Sequence, residues 1–407
     1  MELGCELSRG LSPLGRGVIV AAGPVASDRA VSRGAELSTR LSQAVRAALG
    51  GDARALPGAP TPAQARAAAG RAEVLVVVAP EIVGGEIRAV ADAYPMARSF
   101  WDRVRALSPG PVAHAFASRR LDAEVASFLP TVPLVANRTD RAAIPTSDVV
   151  ALGCGDVDGD GALDIVLVGR HKIAIGRVRG GKFVSTRETS WPELSSVAPS
   201  PLREPLAEVT IGTGRYVDVG LTDRESGFRL SPQLSKVARL DAPIPWARAG
   251  CLSRAGTALG ATRPCARDAE RVVDVHDVTG TDAVAGASVV GRDGRARAIV
   301  AFRSPRDGTG ELRDDAGLMA RTPALGATLA IGDVDLDGDP DLLASVNTLS
   351  SADDALVVSS WTRDGSVHEK LRLPVPEGVR AVAACPAEGG TMSPIVVATT
   401  SSLWVVR

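Results

Sequence analysis

Aromatic side chains are scarce, at 3 % of 407 residues. Any core must therefore be assembled from Val, Leu, Ile and Ala. Lysine occurs only at Lys172, Lys182, Lys236 and Lys370, and the formal net charge is −1, so no global basic footprint marks the chain for nucleic acid. No apolar run reaches the roughly eighteen residues that a transmembrane helix needs. Met1 to Arg16 lacks the apolar core of a signal peptide. Leu3-Gly4-Cys5 has the look of a lipoprotein cleavage-site tail without its hydrophobic part. The expectation is that the true start lies upstream and carries an export signal.

Catalytic signatures are equally sparse. His114, His171, His276 and His368 are scattered, with no H-E-x-x-H and no His–Cys cluster. There is no phosphate-cradling G-x-x-x-x-G-K-[ST], no dinucleotide fingerprint after the first strand and no G-x-S-x-G nucleophile elbow. The cysteines, Cys5, Cys154, Cys251, Cys265 and Cys385, fit no zinc spacing. Cys251 and Cys265 bracket a Gly/Ser/Ala/Arg loop and are expected to pair, a bridge worth about 3 kcal/mol in the chain-entropy picture.

What the chain does have is an acidic loop, twice. One runs Gly155-Asp156-Val157-Asp158-Gly159-Asp160-Gly161-Ala162-Leu163-Asp164, the other Gly332-Asp333-Val334-Asp335-Leu336-Asp337-Gly338-Asp339-Pro340-Asp341. Both obey D-x-D-x-D-G-x-x-D. Alternate carboxylates in a tight turn point inward, and the glycine lets a later backbone carbonyl (Ala162 or Asp339) and the last Asp close around one centre. All-oxygen ligation without His or Cys suits a hard cation, Ca²⁺ before Mg²⁺. Two carboxylates about 5 Å apart repel by roughly 3 kcal/mol at an effective dielectric near 20, so such crowding calls for a counter-ion. The expected ligands are Asp156, Asp158, Asp160, Ala162 and Asp164 at one site, and Asp333, Asp335, Asp337, Asp339 and Asp341 at the other. An EF-hand is excluded because position 12 is Leu167 or Ala344 rather than Glu. The flanks are short apolar runs rich in β-branched residues, so the loops join consecutive strands.

G-D-x-D-x-D-G-x-x-D between strands is similar to the FG-GAP/VCBS repeat, the blade unit of integrin-α-type β-propellers. The resemblance implies a propeller with structural calcium at these residues. From Val149 onward, short apolar runs alternate with Gly-rich turns near residues 156, 212, 277, 333 and 386, about 55–65 residues apart, the spacing of blade-sized repeats. Counting predicts about five blades, or up to about seven if an insertion around Cys251–Cys265 hides more. The turn at Asp277 carries Thr279, Thr281 and Ala285 where ligands belong. It should hold no tight calcium, and neither should the turns at 212 and 386.

Ahead of this region the expected order is an irregular tail (1–16), a small α/β domain (17–130) and a linker (131–147) that could instead be a strand borrowed to close the propeller (148–407). Gly17–Ala22 should be a strand. A helix capped by Ser27 or Asp28 should carry Leu37, Leu41, Val45 and Ala48 and stop at Gly50-Gly51. Thr61-Pro62-Ala63-Gln64 has the form of a capping box. Val74–Ala79 should be a buried strand that turns at Gly84-Gly85 into Glu86–Tyr94. Residues 98–105, with Trp101, form a further expected strand, and Asp122 should cap a short helix. This element order resembles the N-terminal domain of the TolB family of the bacterial cell envelope, which also precedes a β-propeller.

The expected fold is thus α+β in two domains. The expected function is a non-enzymatic, calcium-binding scaffold or binding protein outside the cytoplasm, with calcium affinity in the range of extracellular modules. Its partner would be an envelope protein or a polysaccharide. The alternative is a propeller lyase or hydrolase acting on polysaccharide, with calcium in a structural role.

Overall fold

The computed structural model describes residues 2–12, 14, 16–28, 30–96, 110–130, 134–195, 206–211, 215–224, 226–246, 250–255, 258–264, 281–291, 294–315, 317, 319–362, 365–387 and 392–407, with backbone alone at 2, 123 and 246–264. The chain divides into two compact units, one built on Met1–Val132 and the other running from Pro133 to the C-terminus.

In the first unit, Val18–Ala22 pairs in parallel with Arg54–Ala55 and with Val74–Val83. Val74–Val83 continues through antiparallel neighbours Glu86–Pro95 and Ala113–Arg120. The hairpin turns at Gly84-Gly85, both at positive φ. Helix Gly34–Leu49 lays Leu37, Leu41 and Val45 onto one sheet face and stops at Gly50, whose φ is 68°. Its start is not at Ser27 or Asp28: Ser27 lies in the short strand Ala26–Ser27, and Arg33 precedes the first turn. Helix Pro62–Ala69 carries the capping box of Thr61 and Gln64 and covers the other face with Ala65 and Ala69. Asp122 accepts the Val125 N–H at the head of the short helix Ala123–Ala126. The expected strand at 98–105, with Trp101, lies outside the described residues.

The tail expected at 1–16 is corrected. Glu2–Leu11 is a helix, and Leu3, Leu7 and Leu11 lie in the unit's core. Their i, i+4, i+8 spacing places them on one face. Gly10 explains the close seat: a Cβ there would stand 2.7 Å from Ala115 Cβ on the underlying strand.

The second unit is almost entirely β. Among its described residues, six antiparallel groups of strands follow one another, consistent with a β-propeller, and the first and last are joined by a single parallel pairing of Lys182 with Ala143. Sheet I is Val149–Gly155, Asp164–Gly169, Lys172–Arg179 and Lys182–Ser190. Sheet II is Ala207–Ile211, Val217–Leu221, Phe228–Leu230 and Lys236–Arg239. Sheet III is Ile244–Trp246, Gly250–Ala255 and Ala258–Pro264. Sheet IV is Ala283–Val290, Ala296–Arg303 and Thr309–Asp314, completed by the first half of the long strand Met319–Gly332. That strand shifts register between Leu325 and Leu329, and its second half opens sheet V with Asp341–Val346, Ala355–Trp361 and Val367–Pro374. Sheet VI joins the ends of the unit: Ala381–Ala384, Ile395–Ala398 and Ser402–Val406 are completed by Thr139–Ala143. The stretch expected as linker or closing strand thus contributes a strand to this last sheet.

The first strands of the six sheets pack in a closed circuit. Val149–Gly155 touches Ala207–Ile211, which touches Ile244–Trp246, and so on through Ala283–Val290, Met319–Gly332 and Ala381–Ala384 back to Val149–Gly155. Between sheets I and VI a disulfide joins Cys154 to Cys385 across 231 residues of sequence. The expected Cys251–Cys265 pairing and the Asp277 turn lie outside the described residues. Among the described residues no helix is long and apolar enough to cross a membrane.

Candidate metal centres

Both acidic loops connect the first and second strands of a sheet, in sheets I and V. Each is anchored in the same way. Val157 and Val334 are fully buried in the cores beneath. Their backbone N–H groups donate to the last carboxylate of their own loop: Val157 to Asp164 Oδ2 at 3.1 Å, and Val334 to Asp341 Oδ2 at 2.8 Å. Position 1 accepts from the turn: Gly159 N–H donates to Asp156 at 2.7 Å, and Gly338 N–H donates to Asp333 at 3.1 Å. Ala162 and Asp339 enter through their N–H groups, donated to Asp160 and Asp337. Position 4 is left-handed in the second loop, at Leu336 with φ 57°, and its counterpart Gly159 has φ 85°. A side chain held there costs of order 1–2 kcal/mol, a strain that persists only where the surroundings impose it.

Two oxygen clusters result. Carboxylate oxygens of Asp156, Asp158 and Asp164 lie within 4.8 Å of one another, as do those of Asp333, Asp335 and Asp341. Asp160 and Asp337 stand beside these clusters, held by a cationic side chain from the same sheet.

That cation was not anticipated from the sequence. In sheet I, Arg177 donates from Nε to Asp164 Oδ1 at 2.7 Å, from Nη1 to Asp160 Oδ2 at 2.7 Å, and from Nη2 to Asp160 Oδ1 at 2.8 Å and Asp158 Oδ1 at 3.2 Å. In sheet V, Lys370 Nζ donates to Asp335 Oδ2 at 2.6 Å and Asp337 Oδ2 at 2.9 Å, and stands 3.3 Å from Asp341 Oδ1.

The electrostatics of the two loops differ. Hydrogen bonds from Arg177 hold the Asp160 carboxyl down at about 2. In the second loop, burial first and then repulsion from Asp341, Asp337 and Asp335 push Asp333 up to about 8. Burial also pushes Asp341 up to about 7, although Lys370 opposes the shift. Burial disfavours the Lys370 ammonium, but attraction to Asp341 and bonds to Asp335 and Asp337 outweigh it, and its pKa lies above that of an ordinary lysine. Carboxyls raised in this way are strained as anions, and a divalent cation among them would relieve the strain.

A cation fits the second loop by its donor set. Oδ1 of Asp333, Asp335 and Asp341 is buried in each case and makes no hydrogen bond. Buried carboxylate oxygens without a hydrogen bond are costly, and a cluster that holds three of them suits a hard, oxygen-coordinated ion.

Other residues singled out in the sequence have partners of their own. His114 Nδ1 is 2.7 Å from Asp92 on the neighbouring strand. Trp191 is fully buried and donates its indole N–H to Gly169 O at 2.9 Å. The Trp246 side chain lies outside the described residues.

No family model matches this chain, and no curated protein does. Among solved structures it is similar to a streptogramin B lyase, at 10 % identity and TM-score 0.35, covering 66 % of this chain and 97 % of the other. Virginiamycin B lyase from Staphylococcus aureus aligns at 10 % identity and TM-score 0.36, covering 66 % and 99 %. TolB from Acinetobacter baumannii aligns at 10 % and 0.31, covering 97 % and 94 %. These neighbours are β-propeller-like proteins. The FG-GAP/VCBS assignment gains no support from them. The expectation of a non-enzymatic chain is corrected here: lyases stand among the structural neighbours, and that exclusion is withdrawn.

Proposed function

We propose that the second unit is a six-bladed β-propeller of FG-GAP/VCBS type that binds calcium, and that calcium fixes an acidic inter-strand turn so that the propeller presents a rigid face to a partner. The observation that carries the reading is that Asp333, Asp335 and Asp341 each bury an Oδ1 that makes no hydrogen bond, in a cluster whose carboxylate oxygens lie within 4.8 Å of one another. At that separation each pair of anions repels by roughly 3 kcal/mol at an effective dielectric near 20, and a bound divalent cation turns this repulsion into attraction. The blade number rests on the closed circuit of six first strands.

An extracytoplasmic location belongs to the same reading. The Cys154–Cys385 bridge supports it, because disulfides persist in oxidising compartments, where calcium is also plentiful. The partner in this reading is an envelope protein or a polysaccharide.

The test is a thermal melt of the full chain with calcium and with excess chelator, beside Asp335→Ala. Calcium should raise the melting temperature of the parent and leave the variant unmoved. A parent indifferent to calcium sinks the metal reading.

A further inference from the structure

The two loops share one consensus, but their carboxylates are bonded differently. The first loop holds four carboxylates, on Asp156, Asp158, Asp160 and Asp164. Three guanidiniums reach it. Arg177 grips Asp158, Asp160 and Asp164, and Arg187 Nη2 donates to Asp158 Oδ2 at 3.4 Å. Arg215 Nη1 donates to the Asp158 carbonyl at 3.3 Å. Arg215 lies where a Cβ on residue 159 would collide with it, at 1.6 Å, so the glycine makes room for the guanidinium. The second loop holds five carboxylates, on Asp333, Asp335, Asp337, Asp339 and Asp341. Lys370 reaches Asp335, Asp337 and Asp341 of this loop.

Hydrogen bonding follows the same division. Both oxygens of Asp158, Asp160 and Asp164 accept from guanidinium or backbone donors, and Asp156 accepts from Gly159. In the second loop Oδ1 of Asp333, Asp335 and Asp341 makes no hydrogen bond, and that of Asp341 has only an ion pair with Lys370 at 3.3 Å. Position by position, side-chain exposure is 7 % for Asp335 against 27 % for Asp158 and 18 % for Asp337 against 49 % for Asp160, while Asp341 and Asp164 are alike at 0 % and 1 %.

We infer that the loops have divided roles: the 333–341 loop takes the divalent cation, and the 156–164 loop carries Arg177 as its permanent counter-ion and takes none. This rests on the metal reading above and narrows it to one ion per chain. The chemistry of the two cations supports the split. A guanidinium is planar, stays charged and offers five donors in a rigid fork, so Arg177 satisfies three carboxylates at once and a metal would have to break all of those bonds. An ammonium is a point charge on a flexible four-carbon stem. Lys370 can withdraw from Asp335 and Asp341 as a metal enters, and its departure leaves an oxygen cage.

The test is calcium stoichiometry on the full chain, by equilibrium dialysis with native mass spectrometry. The parent should bind one Ca²⁺. Asp335→Asn should bind none, and Asp158→Asn should still bind one. Arg177→Gln, which releases the first loop, should bind two. Two ions on the parent, or one ion abolished by Asp158→Asn and kept by Asp335→Asn, overturns the division and leaves the metal reading standing. No ion on the parent overturns both. If Arg177→Gln fails to fold, the two Asp→Asn variants decide the question alone.

Discussion

Lys370 Nζ lies 2.6 Å from Asp335 Oδ2, so a lysine on the last strand of sheet V closes onto a turn between its first two strands. The contact makes the second acidic loop a competition between an ammonium and any metal that enters. Lys370→Gln should therefore tighten calcium binding, by about tenfold or more, since tenfold corresponds to only about 1.4 kcal/mol. Titration calorimetry on parent and variant measures this. Equal or weaker affinity in Lys370→Gln means the lysine does not compete.

Leu336 occupies a left-handed position at φ 57° where the companion loop has Gly159. Leu336→Gly should remove most of the steric cost, offset in part by the greater freedom of glycine in the unfolded chain. The expected net gain is about 0.5–1 kcal/mol in urea unfolding with chelator present. A loss would show that Leu336 contributes more by packing than it costs by strain.

The Cys154–Cys385 bridge spans 231 residues, and closing so long a loop is worth about 5 kcal/mol in the chain-entropy picture. Cys154→Ser with Cys385→Ser should lower the urea midpoint of the second unit, and a reductant should reproduce the loss in the parent. A midpoint unchanged by both would show that the β ladders alone close the ring.

Glu377 Oε2 accepts from the hydroxyls of Thr399 at 2.7 Å, Ser402 at 2.8 Å and Ser401 at 3.1 Å. These bonds hold its pKa below the ordinary glutamate value of 4.5. A carboxyl depressed in the fold stabilises above its unfolded pKa, and that stability is lost as pH falls through the folded value. The parent should therefore keep this contribution at neutral pH and lose it below 4.5. Glu377→Gln should lower the melting temperature at neutral pH and flatten the acid limb of its pH profile. Parallel profiles would count against the sign.

Leu7 is fully buried in the core of the first unit. Leu7→Ala should destabilise that unit by about 2–5 kcal/mol, read as the shift in its urea midpoint. A change under about 0.5 kcal/mol, the scale of a surface substitution, would return Glu2–Leu11 to the status of a loose tail.

Short-range rules explain what could be read in advance. The capping box at Thr61–Gln64, the hairpin at Gly84-Gly85 and the stripe Leu37–Leu41–Val45 each lie within a few residues and follow from local geometry. The acidic loops are legible for the same reason: their carboxylates are spaced by the turn itself. The first helix was missed because Gly4 and Gly10 depress helix propensity, although Leu3, Leu7 and Leu11 keep the period, and tertiary packing overrides the deficit. Sheet III falls in the stretch around Cys251 where the repeat spacing left room for a further blade, and it breaks the 55–65-residue period that marks the others. The disulfide, Arg177 and Lys370 are long-range partners. Arg177 stands 13 to 19 positions from its carboxylates, Lys370 stands 33 to 35 from two of its own, and the half-cystines stand 231 apart. Nothing in their immediate neighbours marks the pairing, which the arrangement of strands decides.

Sheet VI takes Thr139–Ala143 from the head of the second unit and Ser402–Val406 from the tail of the chain. Sheets I to V each draw on a continuous stretch of chain, but sheet VI cannot form until Ser402–Val406 has been made, long after Thr139–Ala143. Before that, Thr139–Ala143 has only its single pairing with Lys182 of sheet I, and Cys154 waits for Cys385. Closure of the ring is therefore a late step in folding, and the interval before it is when an incomplete copy is open to mispairing with another.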